Sequence, residues 1–285
     1  MKKTDRTGPI CILAASVCWS FGGLLIKYIP WHAMAIVGLR ALLAACVFIV
    51  FRRSVKISFT KGNMITAASL SLTTIMFVFA NKLTTSAAAI LLQFTSPIFI
   101  ILIHLIFYKT KPKPREAVVV SLTICGMLLF FTGQLDGGSM LGNVLAIGSG
   151  VFFAGVCVGN RMEDTKPEQA IFMGFILNAV VGAPFAFFSA TADPIAWGAI
   201  FILGAVQVGL AYVFFSIGIK RTPALLACLI AALEPVLNPL WVALVTGEIP
   251  GPMSMAGGVV IILSIVGYNV FLELYPAKPK ETNPA

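Results

Sequence analysis

The sequence predicts an all-α membrane protein: ten transmembrane helices arranged as two inverted five-helix repeats, with both termini cytoplasmic. Three observations carry this. Apolar stretches of about 20 residues, enough to span a bilayer as helix, follow one another along the chain. Basic residues gather in alternate breaks between those stretches. The chain also comes into register with itself when shifted by about half its length.

Composition sets the solvent. Hydrophobic residues make up 59% of the 285 and charged residues 11%, against roughly 25% charged in an ordinary soluble domain. A soluble chain of this kind would expose much apolar surface, so lipid is its partner instead. The net charge of +9 would raise nucleic acid as a partner for a soluble protein. Here the lysines and arginines flank apolar runs and act as topology signals, which excludes nucleic acid. Cys11, Cys18, Cys46, Cys125, Cys157 and Cys228 all fall inside apolar runs, without CxxC spacing, and read as small buried hydrophobes. His32 and His104 are too few for a metal cluster, so neither metal nor cofactor is expected.

The predicted spans run 9–28, 33–51, 62–80, 84–108, 116–132, 140–160, 168–188, 194–218, 224–246 and 252–272. The first follows MKKTDRTGP and is long enough to cross, so it is a helix and not a cleaved leader. Asp193-Pro194 and Thr222-Pro223 each place a capping side chain before a proline suited to a first turn. Gly251-Pro252 opens the last span similarly. With the N-terminus inside, seventeen of the twenty Lys and Arg residues fall in the cytoplasmic segments 1–8, 52–61, 109–115, 161–167, 219–223 and 273–285. Only Lys27 and Lys82 fall outside, and Arg40 lies within a span. That bias requires an even number of crossings.

A shift of 138 residues superposes Lys82 on Lys220, Thr84 on Thr222, Ala89 on Ala227 and Pro97 on Pro235. A shift of 134 superposes Gly8 on Gly142, Val17 on Val151, Trp19 on Phe153 and Lys27 on Arg161. The first repeat therefore takes residues 1–135, the second 136–275, and 276–285 form a cytoplasmic tail. Five spans per repeat make the second copy enter from the opposite side. Two inverted copies provide two near-equivalent arrangements of one bundle, the basis of alternating access.

The stretch Phe79-Ala80-Asn81-Lys82-Leu83-Thr84-Thr85-Ser86-Ala87-Ala88-Ala89 through Pro97 resembles the fourth-helix signature of EamA-type members of the drug/metabolite transporter superfamily. So does Gly218-Ile219-Lys220-Arg221-Thr222-Pro223-Ala224 through Glu234-Pro235, closing with Gly247-Glu248. Arg40, within Leu39-Arg40-Ala41-Leu42-Leu43-Ala44, resembles the arginine common in that family's second helix. One departure is Tyr108-Lys109-Thr110-Lys111, where the family usually carries Gly-Glu. The resemblance implies ten helices around a central cavity open to one side at a time. It also implies small metabolites as cargo, moved most often outward.

Polar groups at membrane depth are costly and mark candidate sites. Glu234 lies about ten residues, roughly 15 Å, into the ninth span. Pro235 should kink the helix there, and Asn238 and Trp241 share its face. Glu234 reads as a substrate ligand or proton carrier, or as a structural hydrogen-bonded carboxyl. Arg40 reads as a ligand for a carboxylate or a partner of Glu234, with headgroup contact or helix pinning as alternatives. Gln93, Ser96, Ile100 and His104 share a face of the fourth span, and Ser96 is the repeat counterpart of Glu234. Gln93 and Ser96 are cavity candidates, whereas His104 reads as interfacial. Trp19 with Ser16, Ser20 and Gly23, Phe77 with Thr66, Ser69 and Thr73, and Tyr212 with Ser216 complete the candidate lining. The hydroxyls also suit plain helix packing, as does Gly155-Val156-Cys157-Val158-Gly159. A homodimer stays open.

An enzyme is not expected. Asp5, Asp136, Asp164 and Asp193 all lie in loops or tails, no histidine sits deep in the bundle, and no Walker-type loop is present. These readings converge on a secondary-active transporter of small organic metabolites, amino-acid-like or other small solutes, in the inner (plasma) membrane, exporting by proton coupling or exchange. An intramembrane enzyme, and a channel or sensor, are the alternatives.

Overall fold

The computed structural model describes residues 6–22, 25–26, 29–52, 57–84, 86–130, 139–234, 236–237 and 252–274. Among them every regular element is helical. The first half contains α1 Thr7–Trp19, α2 Ala33–Arg52, α3 Lys61–Leu83, α4 Ser86–Gln93, α5 Ser96–Phe107 and α6 Pro114–Phe130. The second contains α7 Met140–Gly159, α8 Pro167–Ser189, α9 Pro194–Phe201, a π-helical segment Ile202–Leu210, α10 Ala211–Gly218, α11 Ala224–Ala231 and α12 Pro252–Leu274. Among the described residues six helices are long and apolar enough to cross a membrane, and Thr7–Trp19 and Met255–Tyr268 are shorter apolar helices. The expectations placed on Gly23, Lys27, Asp136, Pro235, Asn238, Trp241, Gly247, Glu248 and Gly251 lie outside the described residues.

Local chemistry explains the helix starts, with one correction. The Asp193 side chain accepts from Ile195 N at 3.0 Å, with Pro194 following as the first helical residue. Thr60 caps α3 by accepting from Asn63 N at 3.3 Å. Thr222 does not cap. Pro223 itself takes the extended cap position, and Thr222 is displaced one residue outward, where its hydroxyl is buried without a protein partner.

The helical segment 86–107 and its counterpart from Ala224 onward are broken, at matching places. The first break falls at 94–95, between α4 and α5, where Thr95 N donates to Leu92 O and Ile98 N to Thr95 O. The second falls at 232–233, where Leu233 N donates to Ile230 O and Val236 N to Leu233 O. Each bond has its equivalent 138 residues on. Both breaks replace α-helical pairing with tighter three-residue turns.

Packing repeats in the same way. Glycines let the chain approach closely: a Cβ on Gly8 would lie 2.6 Å from Thr222 Oγ1, and one on Gly142 would lie 2.9 Å from Thr84 Cβ. Ser16 donates to Ile230 O at 3.1 Å, while its counterpart Gly150 rests against the carbonyls of Leu92 and Gln93. α2 and α8 cross backbone to backbone at Gly38 and Gly182. α6 and α12 pack chiefly on each other, joined by Thr123 and Ser264 hydroxyls at 3.0 Å. Gly155 and Gly159 press on Ser69 and Thr66 of α3, so that motif is an internal seam.

Contacts define two ends of the bundle. At one, Gly62 N donates to Asp164 Oδ2 at 3.0 Å, Arg161 Nη1 to Lys220 O at 2.6 Å, and Gly8 meets Thr222. At the other, Trp31 Nε1 donates to Thr191 Oγ1 at 3.0 Å, and Thr84 Oγ1 to Asn143 Oδ1 at 2.9 Å. α1 starts at the first end and α7 at the second, so the two halves traverse the bundle in opposite senses.

The cysteines need a second correction. Cys157 and Cys228 are buried with their sulfurs 3.0 Å apart, but Cys46 and Cys125 are exposed. An apolar run in a membrane bundle has an outer face as greasy as its core, as Phe187 and Phe188, both over 80% exposed, also show.

Candidate functional site

A small cavity of about 50 Å³ lies between the halves. Its lining comes from Trp19, Arg40, Thr73, Thr74, Phe77, Gln93, Phe153, Gln207, Val208, Tyr212 and Glu234. Six of the nine sequence candidates, Trp19, Arg40, Phe77, Gln93, Tyr212 and Glu234, therefore share one cavity.

One wall is aromatic. Trp19, the last residue of α1, meets Tyr212 edge-on with ring centroids 5.1 Å apart and Phe153 at 6.1 Å. Phe215 and Phe175 buttress Tyr212 from behind at 5.7 Å and 5.5 Å. Such edge-to-face clusters hold rings rigidly. The π segment sets part of this wall. Gln207 and Tyr212, five residues apart, would diverge by about 140° on an α-helix; the wider i→i+5 turn of the π segment narrows that angle, and both line the cavity.

The polar groups are under-used by the protein. Arg40 is 4% exposed and its Nε has no partner. It does not reach for headgroups, because its side chain is enclosed in the bundle. Among the described residues no ion pair joins it to Glu234, although both line the cavity. Glu234, 8% exposed, sits just past the α11 break and its carboxyl has no hydrogen bond among the described residues. Gln207 gives one amide hydrogen to Trp19 O at 3.3 Å, and its Oε1 is buried without a partner. Gln93 accepts from Ser149 Oγ at 3.2 Å through its carbonyl, leaving its amide hydrogens for the cavity. Buried polar atoms are seldom left unmet in a protein that binds nothing.

Ser96 is the misplaced candidate. It occupies the same backbone position as Glu234 in its repeat, but its short side chain turns to Cys228 Sγ at 3.7 Å and is fully buried outside the cavity. Ser16, Ser20 and Ser216 bond back to helix carbonyls and serve packing. His104 stacks edge-on with Tyr108 at 5.4 Å, away from the cavity. Sequence reasoning missed Phe153, Gln207, Thr74 and Val208 as lining. Phe153 is the repeat counterpart of Trp19, and Gln207 is a lone amide in an apolar run, so both carried a readable signal.

A polytopic helical bundle of two matching halves around a buried polar-aromatic cavity is the architecture of a membrane transporter. The EamA-like transporter family model matches the chain twice, over residues 6–132 and 140–270. The chain belongs to the EamA-like transporter family, within the drug/metabolite transporter superfamily. A relative from Bacillus subtilis (strain 168), "Uncharacterized transporter YwfM", is 24% identical over 164 residues. That match spans 55% of this chain and only 55%, about half, of the relative. A protein of known crystal structure shares the fold with a TM-score of 0.77 at 18% identity, covering 92% of this chain and 96% of that one.

Proposed function

We propose that the protein is a secondary-active, alternating-access carrier of small organic solutes bearing both a negative and a positive group, amino-acid-like in chemistry. The observation that carries this reading is that a buried Arg40 whose Nε has no partner and a Glu234 carboxyl with no hydrogen bond among the described residues line one aromatic-walled cavity. A guanidinium suits a carboxylate, a carboxylate suits an ammonium, and the Trp19 and Tyr212 rings suit the carbon skeleton between them. The matching halves, run in opposite senses, supply two arrangements of equal parts. A channel has no need of such a repeat, and no catalytic dyad accompanies the cavity among the described residues. In this reading the chain crosses the inner (plasma) membrane ten times, five in each repeat, 1–135 and 136–275, with both termini in the cytoplasm. Glu234 carries the coupling proton, and net movement is outward.

The test is a thermal-shift screen of small metabolites on the purified protein. A ligand at 100 times its Kd stabilises by about 2.7 kcal/mol, which gives a clear upward shift in Tm. Zwitterionic hits are expected, and Trp19→Ala should remove most of the shift. Hits confined to uncharged solutes, or hits indifferent to Trp19→Ala, would displace the cavity from this role.

A further inference from the structure

A second cavity, of about 120 Å³, lies between α5, α6, α11 and α12, at the end of the bundle where Gly8 meets Thr222. It shares no lining residue with the cavity between the halves. Its polar wall is His104 near the end of α5, Lys111 in the loop to α6, and Tyr268 of α12, facing an apolar wall of Ile100, Ile101 and Leu225. The three polar groups are spare. Neither ring nitrogen of His104, nor the Lys111 ammonium, nor the Tyr268 hydroxyl has a hydrogen bond among the described residues, although Tyr268 is only 8% exposed. The other polar neighbours are committed. Thr110 donates from its N and Oγ1 to His104 O at 3.1 and 3.2 Å, and Glu116, the one acid on the wall, accepts from Lys113 N at 2.9 Å.

The loop beside this cavity departs from its own repeat. Shifted by 138 residues, Lys109-Thr110 falls on Gly247-Glu248. Lys109 has a left-handed backbone, φ 51°, which suits glycine and is disfavoured for a residue with a side chain. The lysine stands there against local preference, and the change removes an acid and adds a cation. Lys109, Lys111 and Lys113 are all exposed, and Arg115 lies over the Phe271 ring at 5.1 Å with its Nε unpartnered. Four cations thus face one carboxylate where the chain leaves the bilayer between α5 and α6.

We propose that this cavity binds the phosphate group of an anionic membrane phospholipid, whose acyl chains lie on the outer face of α5. An ammonium, an imidazole and a phenol converge as donors on phosphate oxygens. Basic pockets between spans at the bilayer surface suit anionic headgroups. The volume admits a phosphate-sized group and falls well short of the ~300–1,000 Å³ of a site for larger organic ligands. The chains have a path: Ile101 lines the cavity, Leu105 one turn on is 43% exposed, and Ile106 and Phe107 beyond it are exposed as well. A dissolved phosphate would use the donors and leave that apolar path empty, which favours the lipid. Once bound, the headgroup ties the α5–α6 loop to α12, whatever solute the central cavity takes.

The experiment titrates the purified protein, in a neutral detergent, with phosphatidylglycerol, and separately with phosphatidylcholine and inorganic phosphate, and counts retained molecules by native mass spectrometry. One phosphatidylglycerol should be retained saturably, with phosphatidylcholine at least about tenfold weaker. Lys111→Ala should weaken retention roughly tenfold, the scale of one charge-assisted hydrogen bond, and Tyr268→Phe about threefold. Lys111→Arg keeps a cationic donor and should stay within about twofold of the parent. Lys166→Ala, which removes an exposed lysine at the same end but outside the cavity, should change nothing. If Lys111→Ala and Tyr268→Phe leave retention at the parental level, or Lys166→Ala lowers it as much as Lys111→Ala, surface charge alone holds the lipid and the cavity is not its site. If phosphatidylcholine binds as tightly, the negative headgroup is not what is recognised, and the proposal falls. If inorganic phosphate displaces the lipid and is itself retained with the same dependence on Lys111, the occupant is a dissolved anion and the lipid is wrong.

Discussion

Glu234→Gln should abolish accumulation driven by a pH gradient while leaving part of the solute exchange measured at equal pH. The variant keeps the shape of the side chain but puts a permanently neutral amide where a group able to gain and lose a proton stood, so the ammonium contact weakens while proton coupling is lost outright. A carboxyl that is buried in one arrangement and wetted in another prefers the neutral form in the first and the charged form in the second. Cycling between them carries one proton per turn. Glu234 is 8% exposed and has no bond among the described residues, so no protein donor there fixes its charge. In proteoliposomes with an imposed pH gradient, the expected accumulation ratio for the variant is about one, the value for an uncoupled exchanger. A variant that concentrates solute as well as the parent would leave Glu234 as a plain ligand or a structural group.

Arg40→Lys should raise the apparent KM about tenfold, with little change in the maximal rate. Lysine preserves the charge but not the planar fork that grips a carboxylate through two parallel bonds, and one charge-assisted hydrogen bond is worth roughly that factor. The guanidinium is enclosed, its Nε has no protein partner, and no described carboxylate neutralises it. A substrate anion would meet both needs. The control is thermal stability measured on the same preparations. If Arg40 only pins helices, the lysine variant should lose stability and yield, while the KM of the surviving protein stays at the parental value.

The fold was legible because its strongest signals were long and redundant. Span length, charge placement and the two register shifts each bear on the same helices, and the observed bounds of α2, α3, α7, α8 and the Pro194–Gly218 span fall within a few residues of those expected. The breaks were half legible. Pro235 was read as a kink, yet its counterpart Pro97 carries the same chemistry and marks the start of α5. The π segment was not legible at all: Ile202–Leu210 contains no proline and reads as an ordinary apolar run. It nonetheless decides that Gln207 and Tyr212 share a wall. In the site, charged side chains announced themselves by the cost of burying them, which is how Arg40 and Glu234 stood out, while Trp19 stood out as an aromatic ring sharing a helix face with hydroxyls. Ser96 misled because repeat equivalence fixes backbone position, while side-chain length decides what reaches the cavity. The cysteines misled because apolar character does not tell core from lipid-facing surface.

The central claim is that the cavity between the halves is the solute site of an alternating-access carrier, and counterflow tests it most directly. Proteoliposomes are loaded with an excess of an unlabelled solute identified by thermal shift, then diluted into a trace of the same solute carrying a label. The account predicts a transient overshoot of label inside the vesicles, saturable in solute and lost in a Trp19→Ala, Arg40→Ala variant that remains folded. Label that simply equilibrates without overshoot, at a rate linear in concentration and unchanged in that variant, would contradict it.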